Sequence, residues 1–206
     1  MGKDISFFIS VWLKFFFLLT PFFTLSMFLS ITKDMTTSAK RVTAIRTTCA
    51  VIAVCLFLYF FGNFLFSVFE ITLDAFRIGA GGILFLSAVS LVKGNDTISA
   101  EDRDGDISVV PMAIPFTVGP GTTGALLVMG AEIHNPVQQI IGCSALCAAV
   151  LSVGVFLYAS TVMERLIGKR GIKIFSKLTG LILSALAAQL IFTGIKNFFA
   201  QGQPPL

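Results

Sequence analysis

Residues 110–130 read VPMAIPFTVGPGTTGALLVMG, an uncharged apolar stretch that carries three prolines and four glycines. Proline removes a backbone donor and displaces the carbonyl four residues back, whereas glycine lets a ligand approach the main chain. A helix restarting at Pro120 or Gly121 would point unpaired N–H groups and a positive dipole end away from itself, an arrangement that suits a carboxylate. The substrate-binding set expected here is Gly119, Pro120, Gly121, Thr122 and Thr123, with the Thr117 hydroxyl nearby. A weaker counterpart, LLTPFFTLSMFL (18–29), adds Thr20, Pro21 and Thr24. Taken alone, Pro21 reads more simply as a helix kink of the kind common in membrane helices.

Further polar residues lie in apolar surroundings. Gln189 either bonds a neighbouring helix or lines a path. Glu70, Asp74 and Arg77 line up at helical spacing where the third apolar run begins, and Asp74 with Arg77, an i,i+3 pair, is expected either to sit at the surface or to act as a gate. Lys14 is expected to snorkel to a membrane interface. Cys49, Cys55, Cys143 and Cys147 read as packing residues, and His134 as a loop residue beside Pro136. The acidic EDRDGDIS (101–108) lacks the glycine and glutamate positions of a calcium loop. No metal site and no cofactor are expected. Without a Ser–His pairing, a metal-ligand cluster or paired carboxylates at depth, neither is an enzyme.

The elements that would position these residues follow from composition. Of the 206 residues, 55% are apolar and 13% are charged, with a mean hydropathy of +0.90. Soluble domains carry about 25% charged residues. Six apolar runs, roughly 7–31, 47–69, 75–92, 107–131, 138–163 and 178–199, are near or above the ~18 residues that mark a membrane helix. The N-terminal run is too long for a signal-peptide core and is expected to be retained. Eleven of the fifteen basic residues fall in the connections after the first, third and fifth runs. The positive-inside rule then places those connections in the cytoplasm and both termini outside. The net charge of +4 is no nucleic-acid signature.

An offset of 99 residues brings the two halves into register. AVIAVCLFLY (50–59) falls on AVLSVGVFLY (149–158), with six of ten positions identical, and FRIGAGGILFLSAVSL (76–91) on FSKLTGLILSALAAQL (175–190), with six of sixteen. Pro21 falls on Pro120 and Thr24 on Thr123. With three runs per half, the second half must enter from the opposite side, the inverted repeat of many secondary transporters, whose substrate sits where broken helices meet near mid-membrane. The expected fold is an all-α membrane protein: six transmembrane helices as an inverted 3+3 repeat with broken first and fourth helices. It forms one integral membrane domain (1–206), with repeat one at about 5–92, a cytoplasmic linker at 93–106 and repeat two at about 107–199. Gly79, Gly81 and Gly82, with Gly180 as a repeat partner, are expected to let helices approach closely.

SVVPMAIPFTVGPGTTGALL, FRIGAGGILFL and GLILSALAAQLIFTGIKNF resemble the MarC/SnatA (UPF0056) family of six-span inner-membrane proteins over nearly the whole chain. The resemblance implies a prokaryotic inner-membrane protein. Through the branch described as neutral amino acid transporters, it also implies glycine or alanine as substrates, with proton coupling. Family members usually carry Asn-Pro in the first repeat, where this chain has Thr20-Pro21. The expected function is a secondary transporter of small neutral amino acids or similar zwitterionic metabolites; the alternative is a channel or exporter of a different small solute. Expected partners are a small-molecule substrate and the lipid bilayer, with no nucleic acid and with homo-oligomerisation left open.

Overall fold

The structure is a computed structural model and describes residues 2–94, 117–133 and 135–200. Among these residues every regular element is helical. The elements are α1 (Gly2–Leu18), α2 (Pro21–Ile31), α3 (Thr37–Phe69), α4 (Leu73–Lys93), α5 (Pro120–Glu132), α6 (Pro136–Tyr158) and α7 (Ser160–Ala200). Pro111, Pro115, the 101–108 acidic stretch and His134 lie outside the described residues, as does the first half of the expected fourth span.

Local chemistry sets the helix starts. Thr36 and Thr72 cap α3 and α4, each hydroxyl accepting from the N–H three residues on (3.3 Å), and so satisfy an orphan donor. Pro21, Pro120 and Pro136 open α2, α5 and α6, where a missing N–H costs no helical bond. At its other end α4 closes on Gly94, whose φ of 76° is in the left-handed region.

Five helical stretches are long and apolar enough to cross a membrane: Asp4–Ile31, Thr37–Phe69, Leu73–Lys93, Pro136–Tyr158 and Ser160–Ala200. With α5 at 13 residues covering the end of the fourth apolar run, the described chain is that of a multi-pass, all-helical protein. Two basic connections are themselves helical rather than loops: α3 begins ten residues before its apolar run, and α7 takes in residues 164–177, kinking at Gly168 (φ 70°). Glu70 does not continue the Asp74–Arg77 spacing. It ends α3 with φ 53°.

Helix directions are fixed by close contacts. α4 and α7 run antiparallel: a Cβ on Gly194 would lie 2.8 Å from the Asp74 carbonyl oxygen, one on Gly81 3.0 Å from that of Ala187, and one on Gly180 3.0 Å from that of Ala88. Gly79 and Gly82 face open space instead, so of this glycine group only Gly81 and its repeat partner Gly180 serve close approach. α3 and α6 are also antiparallel, with Tyr59 against Gly142 and Thr48 against Gly154. α1 and α6 run parallel, joined by the Trp12 indole donating to the Ser152 hydroxyl (3.2 Å) and by Phe16 beside Phe156. The main buried cluster draws on α1, α3, α4, α5, α6 and α7, and a smaller one joins α2 to Ala44, Leu157 and Ile172. Lys33, Lys40, Lys169 and Lys173 gather at one end of the bundle around a cavity of about 370 Å³. That end is the basic end, and the opposite one, where α1 begins, is the N-terminal end.

Candidate functional site

The turn between α1 and α2 and the proline-led start of α5 meet inside the bundle. α1 stops at Leu18 and α2 restarts at Pro21, with Thr20 between them in the left-handed region (φ 47°, ψ 59°). α5 starts at Pro120 on the extended Gly119. The Thr122 hydroxyl donates to the Leu18 carbonyl across 2.8 Å, tying the start of α5 to the end of α1. Leu18 is the last residue of α1, so its carbonyl has no i+4 partner within that helix. Gly121 lies against Leu84, where a Cβ would fall 2.7 Å from the Leu84 Cα. Leu84 is near the middle of α4, so the junction is near mid-span.

The hydroxyls expected around a carboxylate are divided by this arrangement. Thr122 and Thr24 are buried and bonded to main-chain carbonyls, the latter to Leu19 O at 3.1 Å. Thr20 is buried and forms no side-chain cap. Thr123 turns the other way, into an apolar groove with Ala53, Val54 and Phe57. Pro120 is exposed and Gly119 half-buried.

A cavity of about 370 Å³ opens between α1, α4, α5 and α7 on the N-terminal side of this junction. Leu18 and Leu84 line it next to the breaks, and Ala125, Val128 and Met129 form its α5 wall. Its polar lining includes Ser10, Lys14, Gln138, Gln189 and Thr193. Gln189 is thus brought to the cavity. Lys14 is there too, an exposed side chain that lines the cavity rather than serving only as an interfacial anchor.

Arg77 and Glu132 complete the lining. Arg77, 5% exposed, bridges Asp74 on its own helix and Glu132 at the end of α5, the latter at 2.9 Å. The Asn197 amide donates to Asp74 at 3.2 Å, so the group joins α4, α5 and α7. Asp74 is 7% exposed while Glu132 is exposed, which makes Arg77–Glu132 the more easily opened contact. Sequence spacing shows the Asp74–Arg77 pair. Glu132 and Asn197 are distant in sequence, and an acid ending an apolar run was the only signal available. Among the described residues no group of three or more His, Cys, Asp and Glu side chains could hold a metal ion.

Residues 5–199 match the family described as MarC family integral membrane protein. A UPF0056 membrane protein of Methanocaldococcus jannaschii is 31% identical, the alignment covering 94% of this chain and 98% of the relative. The UPF0056 membrane protein YhcE of Escherichia coli (strain K12) is 30% identical, with 92% and 94% covered. A UPF0056 membrane protein of Aquifex aeolicus is 27% identical, with 92% of each chain covered. These names state no substrate. No solved structure matches the chain.

Proposed function

This chain belongs to the MarC family of integral membrane proteins, and from that premise we propose that it is a secondary carrier, not an enzyme, for small neutral amino acids of the glycine and alanine kind or similar zwitterionic metabolites. The observation that carries the reading is the junction of two broken segments near mid-span, Thr122 on Leu18, at the floor of a cavity open toward one end. Discontinuous helices meeting at depth are where carriers of inverted-repeat architecture bind substrate.

Helix packing supports an inverted 3+3 repeat with broken first and fourth helices. The 99-residue offset carries Gly81 to Gly180, Ala88 to Ala187 and Val92 to Ile191, and it carries the contacts with them. Gly81 abuts the Ala187 carbonyl and Ile191, as Gly180 abuts the Ala88 carbonyl and Val92. Equivalent helices of the halves, α4 with α7 and α3 with α6, run antiparallel. The collection of lysines at the basic end supports a plasma (inner) membrane orientation with both termini outside, the cavity then facing outward. In this reading the carboxylate reaches the N-terminus of α5 at Pro120–Thr123 when α1 and α5 part and the floor opens. Arg77–Glu132 acts as the outer gate, and inward proton flow drives the cycle.

The test is uptake of labelled glycine and alanine into proteoliposomes, with and without a proton gradient, beside Gly121→Leu, whose side chain would be driven into Leu84. Saturable uptake with counterflow, abolished in the variant, is expected. Background rates for the wild-type protein across a broad metabolite panel would sink the carrier reading, and flux without saturation or counterflow would make the protein a channel.

A further inference from the structure

We propose that Lys14 holds the carboxylate of the incoming substrate in the outer cavity, before that group can reach the α5 N-terminus; this rests on the carrier reading above. Phe7, Ser10, Lys14 and Leu18 recur at helical spacing and all line the cavity, so one face of α1 is turned toward it. Lys14 is four residues, about 6 Å of helical rise, from Leu18 at the floor. Its ammonium therefore lies on the route from the cavity mouth to the junction of the breaks.

Charge assigns the ligand. Of the two cations lining the cavity, Arg77 is already bridged by Asp74 and Glu132. Among the described residues no carboxylate lies within ion-pair distance of Lys14. A lysine inside a membrane span calls for an anionic or polar companion in its cavity. The remaining polar lining, Ser10 on α1, Gln138 on α6, and Gln189 and Thr193 on α7, is uncharged and offers acceptors to an ammonium and donors to a carboxylate. A cavity of about 370 Å³ admits a compact molecule, at the lower end of the usual range for small-molecule sites. The ligand class is a short carboxylic acid, with an α-amino group accommodated on the amide and hydroxyl side.

The experiment uses the full-length protein in proteoliposomes and two readouts. Acetylation of Lys14 by a membrane-impermeant succinimidyl ester is followed by mass spectrometry, with exposed Lys196 as internal control. The additions are glycine, propionate and glycinamide, the last having no carboxylate. Glycine uptake is measured in parallel for wild type, Lys14→Arg and Lys14→Gln. Because the free amines of glycine and glycinamide consume some of the ester, the readout is the ratio of Lys14 to Lys196 acetylation: glycine and propionate are expected to lower it, and glycinamide to leave it unchanged. Lys14→Gln is expected to raise the KM for glycine on the order of ten- to a hundredfold, as for a lost hydrogen bond to a charged group, with Lys14→Arg restoring most of it. Lys14 acetylation that no carboxylate slows, in protein that takes up glycine, overturns the inference and leaves the carrier reading intact. A Lys14 that resists the reagent while Lys196 reacts overturns it as well. Protection by carboxylates without uptake of any of them overturns the carrier reading and leaves the carboxylate site standing.

Discussion

Replacing Thr20 with asparagine should stabilise this protein. Thr20 joins α1 to α2 with φ 47° and ψ 59°, a region that costs an L-residue roughly 1–2 kcal/mol and that asparagine enters more readily. Branching at Cβ makes threonine a poor occupant, and the following Pro21 restricts the backbone further. The Thr20 hydroxyl makes no capping bond, so little is lost with it, while a buried methyl is worth about 0.8 kcal/mol. Asparagine keeps comparable bulk and relieves part of the strain, for an expected gain of about 1 kcal/mol, or about 2–4 °C in Tm for a chain of this size. Glycine relieves more strain but loses the methyl and adds about 0.5–1 kcal/mol of chain entropy, so Thr20→Gly should fall near the parent. Thr20→Ala keeps the strain, loses the methyl and should melt lowest. Thermal unfolding of the four purified proteins in one detergent, followed by circular dichroism, gives the order. An asparagine variant at or below the parent, or an alanine variant above it, would refute strain as the controlling term.

Arg77→Gln should destabilise by about 3 kcal/mol, toward the lower end for a broken buried pair, because Asp74 would lose its cationic partner while keeping the Asn197 amide, and the cavity lets water help. The double change Arg77→Gln/Asp74→Asn should recover part of the loss; unfolding midpoints in denaturant that fall further for the double than for the single would contradict this. Gly81→Ala and Gly180→Ala should each cost about 1–3 kcal/mol through overpacking, and by similar amounts because their contacts match under the 99-residue offset. Gly79→Ala, with nothing within 4 Å of its added Cβ, should gain about 0.5–1 kcal/mol. Melting curves that fail to separate Gly79 from Gly81 and Gly180 would argue against the α4–α7 contact.

The all-helical, multi-pass character of the chain and its family were legible in the sequence, because spans announce themselves by uninterrupted apolarity. The start of α2 at Pro21 has an equally local cause, proline chemistry being a property of a few adjacent residues. What lay beyond reach was every relation between residues far apart in the chain. Thr122 is the donor to Leu18, Glu132 and Asn197 complete the Arg77 network, and Thr123 faces away from the cavity. An expectation drawn from their small size placed Gly79, Gly81 and Gly82 in one packing role. Only Gly81 of the three meets another helix, since the direction of a helix face is chosen by its neighbours. Lys14 marks the same boundary. Its presence inside an apolar run is a fact of sequence. Whether that ammonium meets lipid headgroups or an internal cavity depends on how α1 is rotated against α4, α5 and α7, and side-chain packing across the whole bundle sets that rotation.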